Sequence, residues 1–199
     1  MSSAPARSPA TRSGAGPSDA ALVVAARAGE DWAAEALYRR YAARINGLAF
    51  RLLGRDSDVD DLVQDSFVAA LAGLGRLREP EAFGGFIRAI VVHRATKLIR
   101  RRRLLRRLGL DRGELEVDLD QVISVSAPPD VVAELRSIFA GIASMPASLR
   151  VPLVLRRLEG LALPEIAAAT GASLATVKRR LAAAEHALRQ VTHTREGSA

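Results

Sequence analysis

From Asp19 to about Leu108, and again from Val132 onward, apolar residues recur at steps of three and four. Only an α-helix turns such a pattern into one continuous buried stripe. Breaks at residues 54–56 and 73–80 divide the first stretch into three or four packed helices, and the second reads as four segments near 132–143, 147–158, 164–170 and 173–191. Between the two stretches, GLDRGELEVDLDQVISVSAPPDV (residues 109–131) has no strong period and ends in a Pro128-Pro129 pair, the pattern of a linker. Residues 1–18, rich in Ser, Ala, Pro and Gly, and residues 193–199 read as tails. The expected fold class is therefore all-α, with two small helical domains, 19–108 and 132–192, joined by an acidic flexible linker.

A chain of 199 residues that is 49% apolar can bury two cores. The absence of cysteine excludes disulfides and thiolate-bound metals and fits a reducing cytosol. His93, His186 and His193 are too scattered to suggest a metal cluster. No apolar run approaches the roughly 18 to 20 residues that cross a bilayer, and the N-terminus has no apolar signal core, so the expectation is a cytoplasmic chain without stable membrane insertion. A Gly-rich phosphate loop, a paired-acid cleft and a Ser/His/Asp set are all missing from the sequence, so neither catalytic residues nor a cofactor are expected.

The formal net charge is +7, but its distribution is more informative. Residues 19–75 carry −3, 76–112 carry +9, 113–135 carry −6 and 136–199 carry +5. Two basic segments flank an acidic connector, which suits contact with a polyanion at two places.

Three helical faces carry this charge. In the segment beginning at Asp58, Val59, Leu62, Val63, Phe67, Ala70, Leu71 and Leu74 form the apolar stripe, and Asp58, Asp61 and Asp65 share a separate face. In the helix after Phe83, residues Phe83, Ile87, Ile90, Val91 and Leu98 point inward, which puts His93, Thr96, Arg100 and Arg103 opposite. The third is a helix-turn-helix pattern, LEGLALPEIAAATGASLATVKRRLAAAEHALRQ (residues 158–190). Pro164 suits a first turn, Gly171 a turn with positive φ, and Ser173 a helix cap. Leu174, Val177, Leu181, Ala184 and Leu188 would face inward, leaving Ala175, Thr176, Arg179, Ala183 and His186 outside with Lys178 and Arg180 at the flanks. Small residues at the start of the second helix allow close approach to a major groove, where Arg and Lys meet phosphates and base edges.

The residues Glu159, Gly160, Leu161, Glu165, Ile166, Ala167, Gly171, Thr176, Val177, Lys178, Arg180 and Leu181 meet the pattern EGL-x-x-x-EIA-x-x-x-G-x-x-x-x-TVK-x-RL, and DVDDLVQDSF (58–67) meets a pattern of acids followed by Leu-Val-Gln-acid-hydroxyl-Phe. Together they resemble the sigma-70 family, in its extracytoplasmic-function group, over roughly 150 residues. The resemblance implies a transcription initiation factor whose partners are core RNA polymerase, promoter DNA and an anti-sigma factor. It assigns Asp58, Asp61, Leu62, Gln64 and Asp65 to a coiled coil of the polymerase clamp. His93, Thr96, Lys97, Arg100, Arg101 and Arg103 are assigned to the minus-ten element, and Ser173, Ala175, Thr176, Lys178, Arg179 and Arg180 to the minus-thirty-five element. Phe86, His93 and Lys97 depart from the residues the family usually carries at those positions, which implies an altered base preference at the minus-ten element; Thr170 and Arg179 depart as well, the first implying a looser small core in the helix-turn-helix and the second an altered minus-thirty-five readout. The alternative is a stand-alone helix-turn-helix regulator, which would not need the acidic helix and would usually dimerise to read a palindrome.

Overall fold

A computed structural model of the chain describes residues 16–54, 58–110 and 128–196. Its described residues form α-helices and two 3-10 turns, without strands. The first half holds α1 (Asp19–Arg27), α2 (Asp31–Leu53), α3 (Asp58–Ala72), the two turns (Leu74–Arg76 and Pro80–Ala82) and α4 (Phe83–Arg107). The second holds α5 (Pro129–Ser144), α6 (Ala147–Arg157), α7 (Leu163–Thr170) and α8 (Leu174–Glu196). The expected helices are thus present, with α8 running on into the stretch read as a tail. The acidic segment 111–127 lies outside the described residues.

Local chemistry sets the helix ends. Ser18 accepts the backbone N–H of Ala21 at 3.2 Å and opens α1, with Asp19 in the first turn where the helix dipole favours an acid. Asp19 also ties α1 to α2, accepting from Arg40 Nη1 at 2.5 Å and from the Tyr41 hydroxyl. Burial, followed by the Asp19 contact, pushes the Tyr41 phenol up to about 12. At the other end of α1, Arg27 donates to the carbonyls of Leu74 and Leu77 and anchors the turn between α3 and α4. Tyr41 stacks edge-on against Phe83 at 5.3 Å, and a Cβ at Gly84 would come within 2.9 Å of its ring, so this crossing requires glycine.

The longest helix organises the packing. At 1.5 Å per residue α4 is about 37 Å long. Its buried residues are Phe83, Ile87, Val91, Val92, Ala95 and Ile99. At 100° per residue these span an arc of about 180°, wider than the stripe expected from Phe83, Ile87, Ile90, Val91 and Leu98 alone. An arc that wide needs more than one neighbour. α2 and α3 cover part of it, and α7 and α6 of the second half cover more. Buried residues of the two halves therefore belong to one continuous cluster.

In the second half, α5, α6 and α7 all pack on α8. The α7–α8 turn is built on Gly171 at φ 63°, a left-handed conformation that side chains with a Cβ resist. One feature runs against the packing. Arg150 on α6 is only 4% exposed, its Nε has no hydrogen-bond partner, and its bond from Nη1 to the Ala143 carbonyl is long at 3.4 Å. Burial first, and then the nearby Arg106 and Arg102 of α4, lower its pKa to about 10, so it stays cationic at neutral pH. A buried cation without a counter-charge costs stability. Arg150→Met, which keeps the length and removes the charge, should leave the fold intact and raise its stability by about 1 to 4 kcal/mol. The midpoint of urea unfolding measures this, and a fall in the midpoint would show that the guanidinium contributes more than it costs.

Candidate nucleic-acid interface and acidic face

The turn between α7 and α8 presents the start of α8. Ser173 accepts the N–H of Thr176 at 3.2 Å and donates its own hydroxyl proton to Thr176 Oγ1 at 2.9 Å, so the cap and the first turn are held by both groups. Behind them Val177, Leu181 and Ala184 are buried and Leu188 packs partly against the core. Leu174 departs from the expected inward stripe and is 42% exposed. Helical side chains lean toward the N-terminus, and at the first position of α8 that direction leads off the end of the packed turn. Ser173, Ala175, Lys178, Arg179, Ala183 and His186 are exposed, while Thr176 and Arg180 are half-buried. Among the described residues Lys178, Arg179 and Arg180 form no ion pair, which leaves their charge for an external anion.

A second basic face lies along α4. His93, Lys97, Arg100 and Arg101 are exposed, and Thr96 and Arg103 are half-buried. Thr96 borders the widened buried arc, and its hydroxyl donates to the Val92 carbonyl at 2.7 Å, so as an acceptor it can still meet a ligand. Two other arginines of α4 turn toward α3: Arg94 pairs with Asp65 at 3.0 Å and Arg102 with Asp58.

The acids of α3 form the third face. Asp61, Gln64 and Asp65 are exposed and Asp58 is half-exposed. Leu62 is buried, so it supports the face from beneath instead of belonging to it. Sequence reasoning missed Val68, which lies one turn beyond Gln64 and Asp65 and is 62% exposed, an apolar anchor within an acidic stripe. Its absence from the buried run Val59, Leu62, Val63, Phe67 and Ala70 is the signal that could have found it. An apolar groove of about 680 Å3 runs beside it between α2 and α3, lined by Ala34, Tyr38, Ala42, Val63, Phe67 and Leu71. Another groove, of about 450 Å3, lies in the second half between Ile138, Ile142, Leu153, Leu158 and Leu188.

Among the described residues no group of His, Asp or Glu is placed to hold a metal ion, and no helix is long and apolar enough to cross a membrane. Two exposed basic faces have the charge to attract a polyanion, and one exposed acidic face, which also bears the apolar Val68, has the charge to attract a basic surface.

Comparison with known proteins agrees with this arrangement. Residues 37–105 match the family described as sigma-70 region 2, and residues 135–188 match sigma-70, region 4. The ECF RNA polymerase sigma-E factor of Salmonella typhimurium is 32% identical over 176 residues, covering 85% of this chain and 92% of that protein. The ECF RNA polymerase sigma factor SigE of Mycolicibacterium smegmatis is 30% identical over 152 residues, covering 73% of this chain and 56% of that longer protein. Among solved structures, CnrH in complex with the cytosolic domain of CnrY aligns with a TM-score of 0.63 at 23% identity, over 89% of this chain and 99% of that one. The sigma factor RpoE of Bartonella quintana, in complex with the anti-sigma factor NepR, aligns with a TM-score of 0.62 at 17% identity, over 80% and 96%.

The exposure pattern of α8 separates two kinds of contact. Removing Arg179, which points directly away from the core, should cost roughly 1 to 3 kcal/mol on a cognate duplex and relax preference at one base position. Removing Lys178 should weaken binding about equally on cognate and scrambled duplexes and reduce the salt slope by about one unit. Titrations of both variants at several salt concentrations measure this. Equal losses on the two duplexes for Arg179→Ala would make it a phosphate contact.

Proposed function

The chain belongs to the sigma-70 family of RNA polymerase sigma factors, in its extracytoplasmic-function group, and on that premise we propose that it binds core RNA polymerase and directs promoter-specific initiation of transcription. The observation that carries this reading is the pairing in one chain of an exposed acidic helix with two basic, DNA-suited faces. A regulator acting alone has no use for the first.

In this reading residues 19–108 form the module that meets the polymerase and the minus-ten element, and residues 132–192 the module that reads the minus-thirty-five element. Asp58, Asp61, Gln64 and Asp65 face the polymerase, with Val68 as an apolar anchor. His93, Thr96, Lys97, Arg100, Arg101 and Arg103 hold the opened minus-ten strand, where a basic groove tracks phosphates and bases need stacking partners. Ser173, Ala175, Thr176, Lys178, Arg179 and Arg180 meet the major groove. Their support is exposure and charge: these groups lie on accessible faces, and the base-reading start of α8 is held rigid by its cap. Because two similar solved structures are complexes, one of them with a named anti-sigma factor, an inhibitory protein partner belongs to the proposal as well. The site of action is then the cytoplasm, where polymerase and DNA are.

Two measurements test the proposal. Transcription of fragmented genomic DNA by core polymerase, with and without the protein, should yield a discrete set of new 5′ ends only when the protein is present. Identical transcripts in both reactions would overturn it. Asp61→Lys should then abolish co-purification with core polymerase without changing the helical content. Asp61 is the cleaner choice than Asp65, since reversal at Asp65 would also repel Arg94 within the protein. Normal co-purification of the folded Asp61→Lys variant would move the polymerase contact off this face.

A further inference from the structure

The C-terminal end of α4 leaves three leucines in water: Leu104 is 58% exposed, Leu108 61% and Leu110 72%. Scattered exposed apolar residues are ordinary, but three so close in sequence form a patch. Leu104 follows the fully buried Ala95 by nine residues, which at about 100° per residue sets it directly opposite the core. Its exposure therefore belongs to the outer face of the helix and not to the border of the buried strip. The third leucine stays with this face. Gly109 turns left-handed at φ 69°, and the N–H of Leu110 donates back to the carbonyl of Leu105 at 3.0 Å, which folds Leu110 against the end of the helix.

Cations border the leucines on both sides. In order around the helix lie Arg107, Arg100, Leu104, Lys97, Leu108 and Arg101, an arc of about 120° that runs about 16 Å along the axis. Lys97, Arg100, Arg101 and Arg107 are all exposed. The acids of α3 pair with Arg94 and Arg102, which lie outside the arc, and among the described residues its four cations form no ion pair. Leucines in the middle of a cationic arc are not what a phosphate backbone alone requires: phosphates attract arginine, but they offer leucine no apolar layer. A bilayer that contains anionic lipid offers both, with phosphates at its surface and acyl chains beneath. Arginine can reach outward to the headgroups while its stem and the neighbouring leucines sink toward the acyl boundary.

We propose that the end of α4, from Lys97 to Leu110, is a docking surface for an anionic lipid bilayer, with the helix lying in the interface plane and Leu104, Leu108 and Leu110 below the headgroups. Clusters of about four to eight basic residues draw a helix to such a surface, and apolar side chains among them convert attraction into partial insertion. Binding of this kind needs no membrane-spanning segment. One consequence rests on the functional reading above. Lys97, Arg100 and Arg101 are also the proposed minus-ten contacts, so lipid and DNA compete for one face, and protein held on the bilayer is withheld from promoters.

The test uses the full chain and vesicles made either of equal parts phosphatidylglycerol and phosphatidylcholine or of phosphatidylcholine alone, with the bound fraction measured by flotation. Wild type should float with the anionic vesicles and stay behind with the zwitterionic ones. Leu104→Ser combined with Leu108→Ser keeps every charge. It should weaken binding to anionic vesicles by about tenfold or more and leave affinity for a mixed-sequence DNA duplex unchanged. Arg107→Gln should cost about fivefold on the same vesicles. Because the chain has no native cysteine, Leu108→Cys can carry a single environment-sensitive dye. Its emission should shift to the blue on anionic vesicles and not on heparin, a polyanion without an apolar layer. Failure of wild type to float with anionic vesicles would overturn the proposal. Equal flotation of wild type and the double serine variant would do the same, since charge alone would then account for binding. Loss of duplex and vesicle affinity together in that variant would place the leucines in a DNA interface and also overturn it. Should the double variant lose helical content by circular dichroism, Leu110→Ser, which lies beyond the last turn of α4, replaces it, and unchanged flotation there counts against the surface. Transcription by wild-type protein with core polymerase tests the functional reading separately, since lipid binding does not depend on it.

Discussion

The burial of one broad side of α4 is the constraint on which the rest of the structure depends. Phe83, Ile87, Val91, Ala95 and Ile99 fall at successive four-residue steps, and Val92 widens the strip. Non-directional burial of this kind drives folding, but a helix can hide only what its neighbours cover. α2 and α3 are too few to cover an arc this wide, and α6 and α7 complete it. The same helix must leave its other side in water, because six of its last eight residues, from Arg100 to Arg107, are arginine. A single element is thus core, scaffold for both halves and basic surface.

Opposite charges lie closer together in this molecule than segment totals suggest. Asp58 and Asp65 on α3 pair with Arg102 and Arg94 on α4, so the acidic face and one basic face share a border and partly neutralise each other along it. Exposed pairs of this kind contribute little to stability, since water screens them and two long side chains must be held still. Their effect is on what remains: Asp61 and Gln64 on one side, Lys97, Arg100 and Arg101 on the other, are the groups pointing outward. Within the second half the cationic start of α8 has no such partners among the described residues, and its rigidity comes from Ser173 and the left-handed Gly171. A sigma factor built this way offers different partners surfaces of opposite sign on adjoining helices.

Much of this was legible in the residues. The three- and four-residue steps locate the helices because burial repeats with the helical period, and Pro164, Gly171 and Ser173 mark the turn because each supplies a backbone property few other residues have. Exposure of Asp61, Gln64, Asp65, Lys178 and Arg179 follows from the same geometry. Where the reading departs from the structure, a neighbour outside the local window is responsible. Leu62 was grouped with the acids by resemblance, yet its place on the apolar stripe buries it. Leu174 has the right angle to be inward but stands at a helix end with nothing beneath it. Val68 and the groove beside it depend on where α2 crosses α3.

The sequence by itself determined the helices, their buried stripes, the helix-turn-helix and the separation of charge into acidic and basic segments. All of these are local, since propensity, capping and periodicity act over one or a few turns and need no knowledge of distant parts of the chain. Only the tertiary structure decided that the two halves share a core, that Glu159 meets Arg51 across 108 residues, and that Arg150 is buried beside two other arginines. Such contacts depend on which of several apolar faces pair, a choice made by shape and area summed over many side chains. No spacing within one helix encodes it.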